Sequence, residues 1–355
     1  METTIALPKT NEKQSAHITP EHIMQIGTGF WASKTLLAAI NFKLFTVLAK
    51  GPLSGAQIKS KLILHERSLY DFLDTLTALG FLKRTGIGVT AVYSNSADTD
   101  LFLDKDKPSY IGGILEMCNN RLYRYWGDLE EALITGKQQN EAKYSNTDNQ
   151  FAAIYSNPES LKEFINAMTG IQMGAFMAFA KTFDFSKYHT LVDAGGAGAA
   201  LSCQVALNNK HINCTSIDLP EVEPLAKANI AKFGLADRVQ TKVSDFFKEA
   251  LPKTDIVVMG NILHDWNEEE KLTLIKKAYD ALPTGGAFVC IENIIDNDRN
   301  KNVFGLLMSL NMLIETKGGF DFTFNDFTGW ATKTGFKKTE LIPLVGPTSA
   351  AVAYK

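Results

Sequence analysis

The sequence predicts an α/β protein: a doubly wound, mostly parallel sheet in its second half, behind a mainly helical first half. Three observations carry this. From residue 189 onward, strand-like runs (Thr190–Asp193, Cys214–Asp218, Val239–Val243, Asp255–Met259 and Ala287–Ile291) alternate with helical segments. A glycine-rich turn, Asp193-Ala-Gly-Gly-Ala-Gly198, follows the first run. A histidine, His264, follows the fourth, in Met259-Gly-Asn-Ile-Leu-His-Asp-Trp266. Open α/β sheets bind ligands beyond the carboxyl ends of their strands. The turn and the histidine therefore face one crevice, which is the layout of an enzyme.

Length and composition bound the reading. At 355 residues the chain holds about two domains. With 45% hydrophobic and 21% charged residues it has an ordinary globular composition. A net charge of −3 offers no general attraction to nucleic acid or anionic membrane, and neither is expected as a partner. No apolar run reaches the ~18 residues of a membrane-spanning helix. The N-terminus lacks the basic flank and apolar core of a signal peptide, so residues 1–16 read as a disordered leader. Cys118, Cys203, Cys214 and Cys290 follow neither a disulfide nor a metal-ligand pattern. Buried free thiols and a cytoplasmic location follow.

Residues 17–110 form the first expected unit. Thr19-Pro20 marks a helix start, with Thr19 as N-cap and Pro20 in the first turn. The run Phe30 to Leu48 is apolar on more than one face and calls for a large covering surface. Helices over 55–64 and 67–80, then a hairpin through Phe81–Gly86 and Val92–Ser94, make a winged-helix pattern. Its second helix carries two aspartates and one arginine, which suits dimerisation better than phosphate binding. Residues 111–184 read as a helical connector, with helical spacing over Leu122–Gly136 and a long helix over 158–182. The Met and Phe stripe of that helix favours core over pocket. Residues 185–355 form the sheet domain, ending in a hairpin around Phe336–Leu341 and Ser349–Tyr354.

The chemistry sits at the strand ends. Glycines after the first strand let the backbone turn tightly and approach a ligand. Asp218, at the end of the second strand, is placed for ribose hydroxyls, with a helix cap as the competing role. In Ser244-Asp-Phe-Phe247, Asp245 suits an adenine amino group while a phenyl ring covers the purine; a solvated turn acid is the alternative. His264 has the residue type for proton transfer near neutral pH. Its neighbour Asp265 is expected to point elsewhere, because consecutive side chains diverge in extended chain. The orienting acid should then be Glu292, directly after the fifth strand. A buried histidine that is merely hydrogen-bonded is the competing reading.

Taken together, Leu191-Val-Asp-Ala-Gly-Gly196, Ile217-Asp-Leu-Pro220, Asp245-Phe-Phe247, Ile262-Leu-His-Asp-Trp266 and Ile291-Glu292 resemble the small-molecule O-methyltransferases that use S-adenosyl-L-methionine. The chain is similar to plant caffeate-type and animal acetylserotonin-type enzymes over nearly its whole length, with Ser309-Leu-Asn-Met-Leu313 and Gly318-Gly319 nearer the latter. The resemblance implies a Rossmann-like class I methyltransferase sheet and an N-terminal winged-helix domain that forms a homodimer. It implies His264 as the base and Glu292 as its orienting acid, with Asp321 standing where the family carries a glutamate. Asp193, Gly195, Gly196, Asp218, Leu219, Asp245, Phe246, Asn261 and Trp266 would hold the cofactor. Phe176, Met177, Met308, Asn311 and Met312 would line the pocket of an aromatic or polyketide-like acceptor. No metal is needed for direct methyl transfer. One departure stands out: Ala197 and Ala199 occupy loop positions where the family carries glycine, so a Cβ there should crowd the cofactor or resist a positive φ. Methyl transfer to carbon or nitrogen, a non-methylating reaction, and a ligand-sensing DNA-binding regulator are the alternatives.

Overall fold

The computed structural model describes residues 18–143, 155 and 157–355; the expected leader, 1–16, lies outside them. The sheet domain contains seven strands: β4 (Thr190–Ala194), β5 (Asn213–Asp218), β6 (Val239–Val243), β7 (Ile256–Gly260), β8 (Ala287–Glu292), β9 (Lys338–Pro343) and β10 (Ser349–Tyr354). Their order is β6-β5-β4-β7-β8-β10-β9. The first five strands are parallel, and β10 runs antiparallel to both β8 and β9. The chain winds outward from β4 to β6 and then crosses to β7. The topological switch, where such sheets take ligands, is thus between β4 and β7.

Both sheet faces are covered, which is why the central strands read as continuous apolar runs. The helices Pro158–Thr182, Ala200–Asn208 and Glu223–Lys232 pack with Leu191, Ile256, Val258 and Val289. The helices Glu268–Ala281 and Phe324–Thr334 pack with Val192, Val257, Met259 and Phe288 on the other face. Every residue of β8 is buried, Glu292 included. The long helix begins at Pro158, as expected, and its cap is new: Asn157 accepts from the N–H groups of Glu159 and Ser160, with Pro158 in the first turn.

The N-terminal unit has the expected helices, Gly55–Leu62 and Leu69–Ala78, and the hairpin β2 (Leu82–Thr85) and β3 (Val92–Asn95). A two-residue strand, β1 (Leu53–Ser54), adds to β3 and was too short to see in the sequence. Ser54 then starts its helix with a capping box closed by Gln57. Two expectations need correction. The first helix starts at Glu21 with Pro20 as its cap, so Thr19 lies outside and makes no cap bond. Within the run Phe30–Leu48, residues such as Leu37, Ile40, Leu44 and Phe45 are buried, but Phe30 is 54% and Trp31 64% exposed. Among the described residues, only one face of that run is covered. The stretch Leu122–Gly136 is helical in pieces: a π turn at Cys118–Leu122, tight turns through Asp128, then a helix Leu129–Thr135 closed by Gly136 at φ 66°. No described helix is long and apolar enough to cross a membrane.

Candidate active site

The loop after β4 is drawn against the end of β5. Gly195 and Gly196 both donate to the Ile217 carbonyl, at 2.9 and 3.2 Å. Gly195 has φ 77°, and a Cβ there would collide with the Ile262 side chain. The loop after β4 and the turn after β7 therefore touch through a residue that only glycine satisfies. Ala197 and Ala199 adopt φ 47° and 56°, the left-handed conformation a glycine would take. The expected resistance to a positive φ is thus overcome. Ala199 is fully buried in the core under the sheet, and Ala197 packs with Ile165 and Val222. Packing of these methyls repays a local conformational cost.

Asp218 stands beside this loop. Its carboxylate accepts from the Ala197 N–H at 2.9 Å and the Leu219 N–H at 2.8 Å. The next helix is capped by Val222 without a side-chain bond, so Asp218 caps no helix. Burial pushes its carboxyl above the usual range. Asp193 lies behind the loop, 2% exposed, and accepts from Ser202 Oγ at 2.9 Å; burial raises it to about 7. It packs under Gly196 of the turn. Asp245 accepts from the Phe247 N–H at 3.0 Å and pairs with Lys248 at 3.0 Å. These bonds outweigh its partial burial and hold its carboxyl below the usual range. Phe246 and Phe247 meet Trp266 edge-on, at 6.4 and 4.6 Å between centroids.

Asn261, at φ 51°, turns the chain away from β7 and donates its N–H to the Ile291 carbonyl at 2.9 Å. A 3₁₀ turn, Leu263–Asp265, follows and carries His264, which is 6% exposed. Its Nδ1 lies 3.5 Å from Glu292 Oε2 and 3.4 Å from Asp321 Oδ1. These are charge contacts, longer than a well-formed hydrogen bond. Glu292 Oε1 accepts the N–H of Ile262 at 3.1 Å, so one acid holds both the turn and the ring. Asp321 reaches the ring because Gly319 packs directly on the His264 carbonyl, where a Cβ would collide.

Asp265 corrects the sequence reading. The segment is a tight helical turn and not extended chain, so its side chain stays beside the ring, with Oδ1 3.5 Å from His264 Nε2. Burial opposes charge on His264, but Glu292, Asp265 and Asp321 overcome it and raise the imidazole from 6.5 to about 10. Burial raises Glu292 to about 7 and Asp265 to about 6. His264, Glu292 and Asp321 bring ligand-type atoms within 4.8 Å of one another, a grouping of the kind that can take a cation. The resemblance already groups these three residues, which spacing alone does not bring together because they are far apart in the sequence.

Asn311 projects from the helix Val303–Glu315, which packs against the His264 turn. Its Oδ1 accepts from Trp126 Nε1 at 2.9 Å, and its Nδ2 lies 4.0 Å from Met308 Sδ. Met312 is buried on the same helix. Phe176 belongs to the core and faces Gly260 at the end of β7, whereas Met177 is 42% exposed. Sequence reasoning saw Trp126 only as part of the helical spacing over Leu122–Gly136 and missed its bond to Asn311; it also missed Lys271, which helical spacing does mark. Lys271 falls in register with Leu274, Ile275 and Ala278 on the buried stripe of its helix and is fully buried.

A family profile described as an O-methyltransferase domain matches residues 126–337, and one described as an O-methyltransferase dimerisation domain matches residues 24–105. This chain belongs to the O-methyltransferase family. The methyltransferase is 33% identical over 336 residues to the tetracenomycin polyketide synthesis 8-O-methyl transferase TcmO of Streptomyces glaucescens, covering 95% of this chain and 97% of that one. It is 30% identical over 289 residues to the N,N-dimethyltransferase OxyT of Streptomyces rimosus, covering 81% and 82%. Its fold matches human N-acetylserotonin methyltransferase in complex with S-adenosylmethionine, with TM-score 0.88 and 26% identity over 96% of this chain and 99% of that one. The methyltransferase is S-adenosylmethionine-dependent.

Proposed function

We propose that this methyltransferase acts on a hydroxyl of a planar aromatic or polyketide-like molecule, with His264 as the general base. The observation that carries the reading is His264 itself: a buried imidazole at the sheet's switch point, with two acids on Nδ1 and Asp265 beside Nε2. Glu292 and Asp321 favour the tautomer with the proton on Nδ1, which leaves Nε2 to accept the acceptor's hydroxyl proton. Asn311, fixed by Trp126, offers its amide NH₂ for orienting the acceptor. Met308 and Met312 supply an adaptable apolar wall, and Phe176 and Met177 complete the residues assigned to that side.

The residues beside the loop fit the cofactor. Each Asp218 oxygen accepts one backbone N–H, which leaves capacity for ribose hydroxyls. Gly195, Gly196 and Leu219 supply backbone, Asn261 shapes the turn, and Asp245, Phe246 and Trp266 suit the adenine edge and face. When bound, S-adenosylmethionine supplies an electrophilic methyl group with a neutral thioether as leaving group. The acids around His264 suit a cationic ligand nearby, and closing off water strengthens each of these contacts.

The exposed apolar side chains Ile23, Met24, Ile26, Phe30 and Trp31 support a homodimer through the N-terminal domain. The similarity to OxyT favours nitrogen as a second acceptor atom. Methyl-deuterated S-adenosylmethionine, offered with a panel of hydroxynaphthoates and aminonaphthoates, tests both readings by mass spectrometry. Label on oxygen supports the first and label on nitrogen the second. Label on neither class of acceptor overturns both.

A further inference from the structure

Lys271 is fully buried, yet proton transfer by His264 makes no use of it. Its ammonium lies 3.6 Å from the centroid of the Phe320 ring and 5.9 and 6.0 Å from those of Phe322 and Trp330. It donates to the backbone carbonyl of Trp266, the residue that closes the His264 turn. A methionine would fill the same space without taking a charge out of water. What the charge touches belongs to the base: the carbonyl of its turn, and electrostatically the acids that flank its ring. Burial pushes the ammonium down to about 8, while Glu292, Asp321, Asp265 and the Cys290 thiol act in the opposite sense. Those three carboxylates surround one imidazole. Lys271 is a second cation beside them, held by aromatic faces that attract a cation without neutralising it.

We propose that Lys271 is a positioning residue for methyl transfer: its enclosed ammonium pins the turn that carries His264 and offsets the charge of the acids around the ring. The proposal rests on His264 being the base. Lys271 touches neither acceptor nor cofactor; it acts through the turn and the field at the imidazole.

Two variants separate the parts. Lys271→Met removes donor and charge, whereas Lys271→Gln keeps a donor for the Trp266 carbonyl without the charge. Three readouts are compared: calorimetric S-adenosylmethionine affinity, amide hydrogen exchange over residues 259–268, and turnover of 3-hydroxy-2-naphthoate. For Lys271→Met the expected result is a cofactor Kd within threefold of wild type and exchange of the turn at least tenfold faster. Its kcat should fall at least tenfold, with KM moved less than threefold. Lys271→Gln should protect the turn and still lose kcat. A kcat within twofold of wild type in either variant overturns the proposal, as does a cofactor Kd that weakens in step with kcat. If the wild-type chain transfers no methyl group to this probe, the base reading fails on that acceptor. The exchange arm still decides Lys271 then, because unchanged exchange in Lys271→Met overturns the tether.

Discussion

At the scale of single residues, His264 is governed by opposing terms. Burial disfavours imidazolium, and three nearby carboxylates favour it more strongly, so the ring holds its proton to about pH 10. A base must first lose that proton. The acid limb of kcat/KM should therefore lie above the ordinary histidine value of 6.5. Glu292→Gln removes one stabilising charge, so the imidazole pKa falls and the limb should move to lower pH. The same change should lower kcat by roughly 10- to 100-fold, the usual cost of losing an orienting partner. A limb that stays in place, measured over pH 5–10, would separate Glu292 from His264. Stability follows the same sign. A folded pKa above the unfolded one means the pairing contribution is complete below about pH 6.5 and is lost as pH rises through about 10. Urea unfolding of His264→Ala should thus show its largest deficit against wild type near pH 6 and a shrinking one near pH 10.

At the scale of elements, the glycine loop offers a paired test. Ala197→Gly relieves a left-handed alanine but gives up its methyl packing against Ile165 and Val222, so stability should change by no more than about 1 kcal/mol and cofactor affinity should hold. Gly195→Ala forces a Cβ against Ile262 at φ 77°. It should weaken cofactor binding about tenfold in calorimetry, consistent with ~1–2 kcal/mol of strain. The central strands were legible because burial on both faces makes them uniformly apolar; the helix Pro158–Thr182 was legible from the helical spacing of its Met and Phe residues. Other features depend on tertiary contact. Asp265 was misplaced because a 3₁₀ turn replaced the extended chain assumed for it, and β1 is only two residues long. The convergence of Asp321 on His264 depends on Gly319 lying against the turn, which spacing does not show. The buried position of Lys271 was present in the 271, 274, 275, 278 periodicity, obscured by its charge.

For the whole molecule, the helices Glu21–Gly27 and Gly29–Asn41 carry an apolar face that no other described residue of the chain covers. Ile26→Glu combined with Trp31→Glu should convert a dimer to a monomer in sedimentation equilibrium, and a wild-type chain that sediments as a monomer would remove the dimer from the account. The two halves of the crevice come from loops on opposite sides of the sheet's switch point, one assigned to the cofactor and one carrying the base. That separation yields the most direct test. With methyl-labelled S-adenosylmethionine and a hydroxynaphthoate acceptor that wild type methylates, His264→Ala should lose transfer by about 10²–10⁴-fold while its calorimetric cofactor affinity stays within threefold. Transfer that persists, or cofactor affinity that collapses with it, would contradict the assignment of His264 as the base.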